Sequence, residues 1–215
     1  MRTHWRLLIV ASLLSIAPAL ILAQNKILIR PDLKDPDSLS LWTLDGTGSW
    51  QIADGKLVLS KAGVPSGPIR RPSALAVLKS NSLCSVRVDV ELRSNVDTSV
   101  IHRDLDIAFD YQSPQRFYYI HLAGTTDKVH NGIFIVNNTD RRRIDSGKAD
   151  PQLKDKQWHH VSVTRNDHDG TISVFVDAVP VLAATDTTFS CGRVGFGSFD
   201  DIGVFRNILI AGCSQ

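Results

Sequence analysis

Residues 84–93 read Cys-Ser-Val-Arg-Val-Asp-Val-Glu-Leu-Arg. Polar and apolar residues alternate with a period of two, which suits a strand with one buried face and does not fit a helix. Val86, Val88, Val90 and Leu92 point one way, and Arg87, Asp89, Glu91 and Arg93 the other. The same period recurs along the chain. Trp50–Ser60 gives two short runs around Asp54-Gly55, a two-residue hairpin turn. Residues 158–184 give a second hairpin, with Val161 and Val163 facing Ile172, Val174 and Val176. Residues 132–136, 192–199 and 203–212 supply further runs. No helical period appears after the apolar N-terminus. Ten or eleven strands with closely spaced turns predict an all-β fold, an antiparallel β-sandwich of jelly-roll type.

The N-terminus is set apart. A basic start, Met1–Arg6, precedes an apolar run that Pro18 interrupts and that ends at Ala23. That is the pattern of a cleaved secretory signal peptide over 1–23. It predicts a secreted or periplasmic protein with no membrane span in the mature chain, an extended N-terminal arm over 24–41 and one β-sandwich domain over 42–215. A net charge of +2 over 215 residues implies no nucleic-acid partner. The Pro- and Gly-rich stretch at 62–73 is the longest expected loop.

Export places Cys84, Cys191 and Cys213 in an oxidising compartment. If the last two strands form a hairpin about Ile202, Cys191 and Cys213 meet at its open end, and that is the expected bridge. Cys84–Cys213 is the rival pairing.

Of 22 acidic residues only Glu91 is a glutamate. A glycosidase built on a glutamate pair is thereby excluded, although two aspartates could serve. Aspartate also suits turns and hard-cation sites.

The densest chemistry lies at 106–122, two strands about a Ser113–Arg116 turn. Pairing Gln112 with Phe117 and Phe109 with Ile120 puts Ile107, Phe109, Tyr111, Tyr118, Ile120 and Leu122 on a core face. Asp106, Ala108, Asp110, Phe117, Tyr119 and His121 share the other, with His130 and Asn131 at its rim. Aromatic rings stack on sugars, and Asp, His and Asn bond their hydroxyls. This face is therefore the expected site for an oligo- or polysaccharide.

Four stretches carry a family resemblance: 105–124, Trp158–Val181 with its Trp-His-x-Val hairpin, residues 192–201 with 205–212, and Trp50–Ser60. Through them the chain resembles the concanavalin A-like lectin/glucanase superfamily, in a laminin-G-like secreted branch near 3-keto-disaccharide hydrolase domains. The resemblance implies a carbohydrate-recognising domain, with a glycoside-acting hydrolase or lyase and a protein-binding adhesion domain as alternatives. In the enzyme case His121 acts as base near Asp106. It also implies Ca²⁺, held by Asp200 and Asp201 on one loop or by Asp104 and Asp106. The glucanase motif Glu-x-Asp-x-x-Glu is absent.

Overall fold

The computed structural model describes residues 26–64 and 67–214. The expected signal peptide lies outside them. The strands are β1 (Lys26–Ile29), β2 (Trp42–Gly46), β3 (Ser49–Ala53), β4 (Lys56–Lys61), β5 (Ala74–Leu78), β6 (Leu83–Ser94), β7 (Asp104–Ser113), β8 (Arg116–Ala123), β9 (Gly132–Asn137), β10 (Arg142–Arg143), β11 (His159–Arg165), β12 (Thr171–Val176), β13 (Val179–Thr185), β14 (Cys191–Ser198) and β15 (Gly203–Ser214). All pair antiparallel. One sheet runs β3-β4-β15-β6-β11-β12-β13, with β1 on the same edge of β15 as β4. The other runs β2-β5-β14-β7-β8-β9-β10. The expected all-β sandwich is present. The arm expected over 24–41 contains β1, which pairs with β15, and a 3₁₀ turn at Pro36–Leu41 capped by the Asp35 carboxylate.

Several local expectations hold. Ala53 pairs with Lys56 around Asp54-Gly55, both at positive φ, as a primed two-residue turn demands. Val161 faces Val176 and Val163 faces Val174. Val86, Val88, Val90 and Leu92 enter the main core between the sheets and meet Ile107, Phe109, Tyr118, Ile120 and Leu122 from the other side.

The β7–β8 hairpin differs in register. Ser113 pairs with Arg116, but Phe109 pairs with Tyr118 and Asp106 with His121. A bulge at Asp110, whose φ is +46°, separates the two registers. The slip is two residues beyond the bulge, so faces are conserved there. Asp110 and Tyr111 exchange sides. Tyr111 joins Ala108, Phe117 and Tyr119, while Asp110 turns to Arg165.

The face carrying Tyr119 is a second core. Leu75, Val77, Ala108, Tyr111, Phe117, Tyr119, Phe134 and Val136 pack together there, with Ile69 and Phe199 over them. The segment after residue 66 closes this face. Arg71 forms a buried two-pronged ion pair with Asp45, which also accepts from the Tyr111 hydroxyl. The Arg70 N–H donates to Asp140, and the Arg70 carbonyl accepts from the Arg141 N–H. Each aromatic ring so buried contributes about 1.5–3 kcal/mol.

The bridge is Cys84–Cys191, and Cys213 is free. This corrects both expected pairings. β14 and β15 are not ladder neighbours. Each borders β6, so Cys191 and Cys213 both lie opposite Cys84, from its two sides. β14 touches β6 only at Cys191 and Gly192 before passing into the other sheet, and the disulfide fastens that crossing.

The bridge spans 107 residues, and loops this long favour a large effect. Cys84→Ser is expected to lower the unfolding free energy by about 3 kcal/mol, and Cys213→Ser by under about 0.5 kcal/mol. Denaturant titration checks both, and equal losses would contradict the pairing. Asp45→Ala, which strips the carboxylate from buried Arg71, is expected to cost about 3–5 kcal/mol in the same assay.

Candidate functional site

β7 opens with Asp104-Leu105-Asp106, whose two carboxylates fall on one side of the strand. Directly opposite Asp106, β8 places His121. The imidazole Nδ1 lies 2.7 Å from Asp106 Oδ1 and 3.7 Å from Asp104 Oδ2. All three residues are at most 1% exposed. The turn after β14 completes the cluster. Asp104 accepts from the Ser198 hydroxyl (3.1 Å) and the Phe199 N–H (2.9 Å), and its own N–H donates to Asp201 at 2.9 Å. One donor atom each from Asp104, Asp106 and His121 lies within 4.8 Å of the others, and the same holds for Asp104, Asp200 and Asp201.

Two atoms in this cluster have no hydrogen-bond partner, Asp106 Oδ2 and His121 Nε2. In the neutral tautomer whose Nδ1–H donates to Asp106, Nε2 presents a lone pair. Burial, and then the neighbouring Asp106, push the Asp104 carboxyl well above the usual range. Burial likewise raises Asp201, with Asp200 beside it adding to the shift. Acids crowded this way carry a repulsion that a cation relieves. Carboxylate oxygens with one imidazole whose other nitrogen is held by a carboxylate form a suitable ligand set for a divalent ion.

The lid over the cluster is aromatic and cationic. Tyr119 stacks on Phe134 at 5.3 Å, and its hydroxyl accepts from Arg141 at 3.0 Å. The Arg141 guanidinium lies 4.0 Å from the centre of Phe199. Burial drives the Tyr119 hydroxyl upward, so it stays protonated. At the rim His130 stacks on His102 at 4.8 Å, lies tilted against His121 at 5.3 Å, and bonds Asp127. Burial lowers the His130 imidazole against the pull of Asp127.

The fold therefore gathers Asp106, Tyr119, His121 and His130, and it joins Asp200 and Asp201 to them through Asp104. Phe117 lies farther along the second core. Asn131 is fully buried and structural: its side chain accepts from Ala123 N and donates to the carbonyls of Ala123 and Thr125. Asp110 is absent from the cluster. It sits 3.0 Å from Arg165, and burial pushes it up to about 6 despite that guanidinium. Sequence reasoning missed Arg141 and Phe199, which reach the site from loops with no periodic signal.

No family model and no curated relative matches the chain. Solved structures do. A carbohydrate-binding module, CBM66 from Bacillus subtilis, superposes with a TM-score of 0.57 at 14% identity over 78% of this chain and 93% of that one. A protein with a galectin-like fold from Bacillus subtilis gives 0.58 at 11% identity, covering 86% and 96%. The carbohydrate recognition domain of Emp46p gives 0.55 at 14%, covering 90% and 100%. The chain has the concanavalin A-like lectin fold.

A carboxyl whose folded pKa exceeds its unfolded value binds its proton more tightly in the native state. Asp110 therefore makes folding stability fall as pH rises from about 4 to about 6, and its effect is constant above that. Urea titrations at pH 4, 5, 6 and 7 are expected to show this negative slope reduced in Asp110→Asn. An unchanged slope would mean that other groups carry it.

Proposed function

We propose that this chain is an exported, non-catalytic carbohydrate-binding domain in which Asp104, with Asp106 and His121 on one side and Asp200 and Asp201 on the other, holds a divalent cation. The observation that carries the non-catalytic reading is the split between its acids. Acids with raised pKa are the natural proton donors. Among them, Asp104 lies sealed beneath Tyr119, Phe199 and Arg141, and Asp110 is buried against Arg165. Asp201 is half-buried, and its carboxylate is tied to the Asp104 N–H. Acids that water does reach, such as Glu91 and Asp89, are paired with arginines and held below the usual range. None of these carboxyls combines open access with a proton to give.

Carbohydrate recognition is supported by the neighbours. The chain spans nearly the whole of a carbohydrate-binding module and of a carbohydrate recognition domain. Export is supported by the apolar N-terminus and by the cross-strand disulfide. Ca²⁺ fits the oxygen donors of Asp104, Asp200 and Asp201, and the His121 imidazole also admits a first-row ion such as Mn²⁺.

A second reading, hydrolysis or lysis of glycosides with His121 as base, draws on the 2.7 Å contact with Asp106. A likeness to a provisionally assigned glycosyl hydrolase from Parabacteroides distasonis (TM-score 0.51, 13% identity, covering 77% and 90%) points the same way. It requires the lid to open, since His121 is 1% exposed.

Thermal unfolding in about 5 mM Ca²⁺ or Mn²⁺, roughly five-thousandfold above a micromolar dissociation constant, is expected to raise the wild-type midpoint by several degrees. Asp106→Asn, and the more exposed Asp200→Asn, should lose most of that rise. No cation response in the wild type would remove the metal from the reading. Incubation with the glycans it binds should release no product, and turnover would establish the enzyme reading instead.

A further inference from the structure

The sheet opposite the sealed cluster carries an open groove of about 660 Å³. Residues 30–34 form one wall, and β6, β11 and β15 form the floor. Its volume falls within the roughly 300–1,000 Å³ usual for small-molecule sites. The alternation of β6 puts Asp89 and Glu91 side by side on this floor, and β11 brings His160 opposite Glu91.

The β15 part of the floor depends on a defect. Arg206 pairs with Glu91 and Leu209 with Asp89, so β15 carries an extra residue between them. Asn207, in that bulge, has φ +51°. A non-glycine residue held in this region stores strain, and bulges re-aim side chains. Here the bulge aims the Asn207 amide at Glu91 Oε1, 2.6 Å away.

The polar groups are fixed in advance. Arg206 bonds Glu91 Oε2 at 2.7 Å, and its guanidinium lies 4.0 Å from the centre of the Trp158 ring. Arg87 grips Asp89 with two bonds of 2.7 and 2.9 Å, and Asp89 also accepts from the Ser162 hydroxyl. The Asn207 hydrogen bond leads the effects that hold Glu91 below the usual carboxylate range. For Asp89, burial opposes ionisation, but the bonds from Arg87 and Ser162 outweigh it. Each pair thus sets acceptor oxygens beside donor N–H groups on a rigid frame.

A sugar hydroxyl both donates and accepts, so a vicinal diol matches a carboxylate beside a guanidinium or amide. Acids and bases around the groove are nearly balanced, with Asp32, Asp89 and Glu91 against Arg30, Lys34 and Arg87. That balance favours a neutral saccharide over a uronate. We infer that this groove is the glycan-binding site, taking a neutral oligosaccharide through Glu91, Asp89, His160 and Asn207. The assignment rests on the carbohydrate-binding reading and gives it a location.

Calorimetric titration tests it, using neutral gluco-, manno-, galacto- and fructo-oligosaccharides and one oligogalacturonate, with Ca²⁺ present. Glu91→Gln and Asn207→Gly are expected to weaken binding tenfold or more, while Asn137→Ala, an exposed position on the other sheet, stays within twofold of wild type. Thermal midpoints identify any variant that is merely unfolded. In that event the wild type decides, because Trp42 and Trp50 are buried while Trp158 lies under the Arg206 guanidinium that bonds Glu91, so ligand at Glu91 should shift the Trp158 emission. Wild-type binding with unaltered affinity in both groove variants, or with no change in Trp158 emission, overturns the groove and leaves the carbohydrate reading standing. Tighter binding of the oligogalacturonate overturns the neutral class. Binding to no glycan overturns the site and the reading together.

Discussion

The second sheet is buried on both faces, and most of the functional geometry follows from that constraint. β7 and β8 send Ile107, Phe109, Tyr118, Ile120 and Leu122 into the space between the sheets. Their other face, Ala108, Tyr111, Phe117 and Tyr119, is covered by a segment that has no regular structure of its own. Apolar contact alone specifies such a loop weakly. The Arg71–Asp45 ion pair, closed by the Tyr111 hydroxyl, gives it one position, because a buried guanidinium without its carboxylate is strongly disfavoured. Arg141 then extends the cover over Phe199 and Tyr119.

This cover changes what the acid–imidazole cluster beneath it can do. In the open, Asp106 and His121 would be a natural acid–base pair. Sealed, they retain two unpartnered atoms and a set of mutually repelling carboxyls, features that suit an ion better than a substrate. The two sheets thereby differ in what they bury. One sheet keeps its polar groups inside, where a cation would brace the turn after β14 against the start of β7. The other turns its charged face outward, where paired acids and arginines are wet and accessible.

Much of the frame was legible in the residues. The alternation of β6 correctly assigned every side chain from Val86 to Arg93, since a half-buried strand tolerates only one phase. Asp54-Gly55 announced its turn because few residues adopt positive φ in succession. The pairing of Asp106 with His121 in one cluster was also visible, through faces that survived a two-residue slip. Asp110 was misplaced by the bulge at that residue, which no period in the sequence marks. The disulfide was misjudged for a topological reason. Chain order suggested that the last two strands pair, whereas β6 lies between them and takes a cysteine on either side.

The sequence by itself determined the all-β class, the inward face of β6 and the placing of Asp106 and His121 on one face, because these depend on local period and near-neighbour pairing. Tertiary structure alone decided which sheet face meets water. Nothing in 106–122 distinguishes a sugar-binding surface from a second core. The difference lies in a loop more than 30 residues earlier in the chain, 67–73, folding across it, and in β15 crossing β6 with a bulge that brings Asn207 to Glu91. Burial is a property of what packs on a strand, and that partner is chosen by the whole chain.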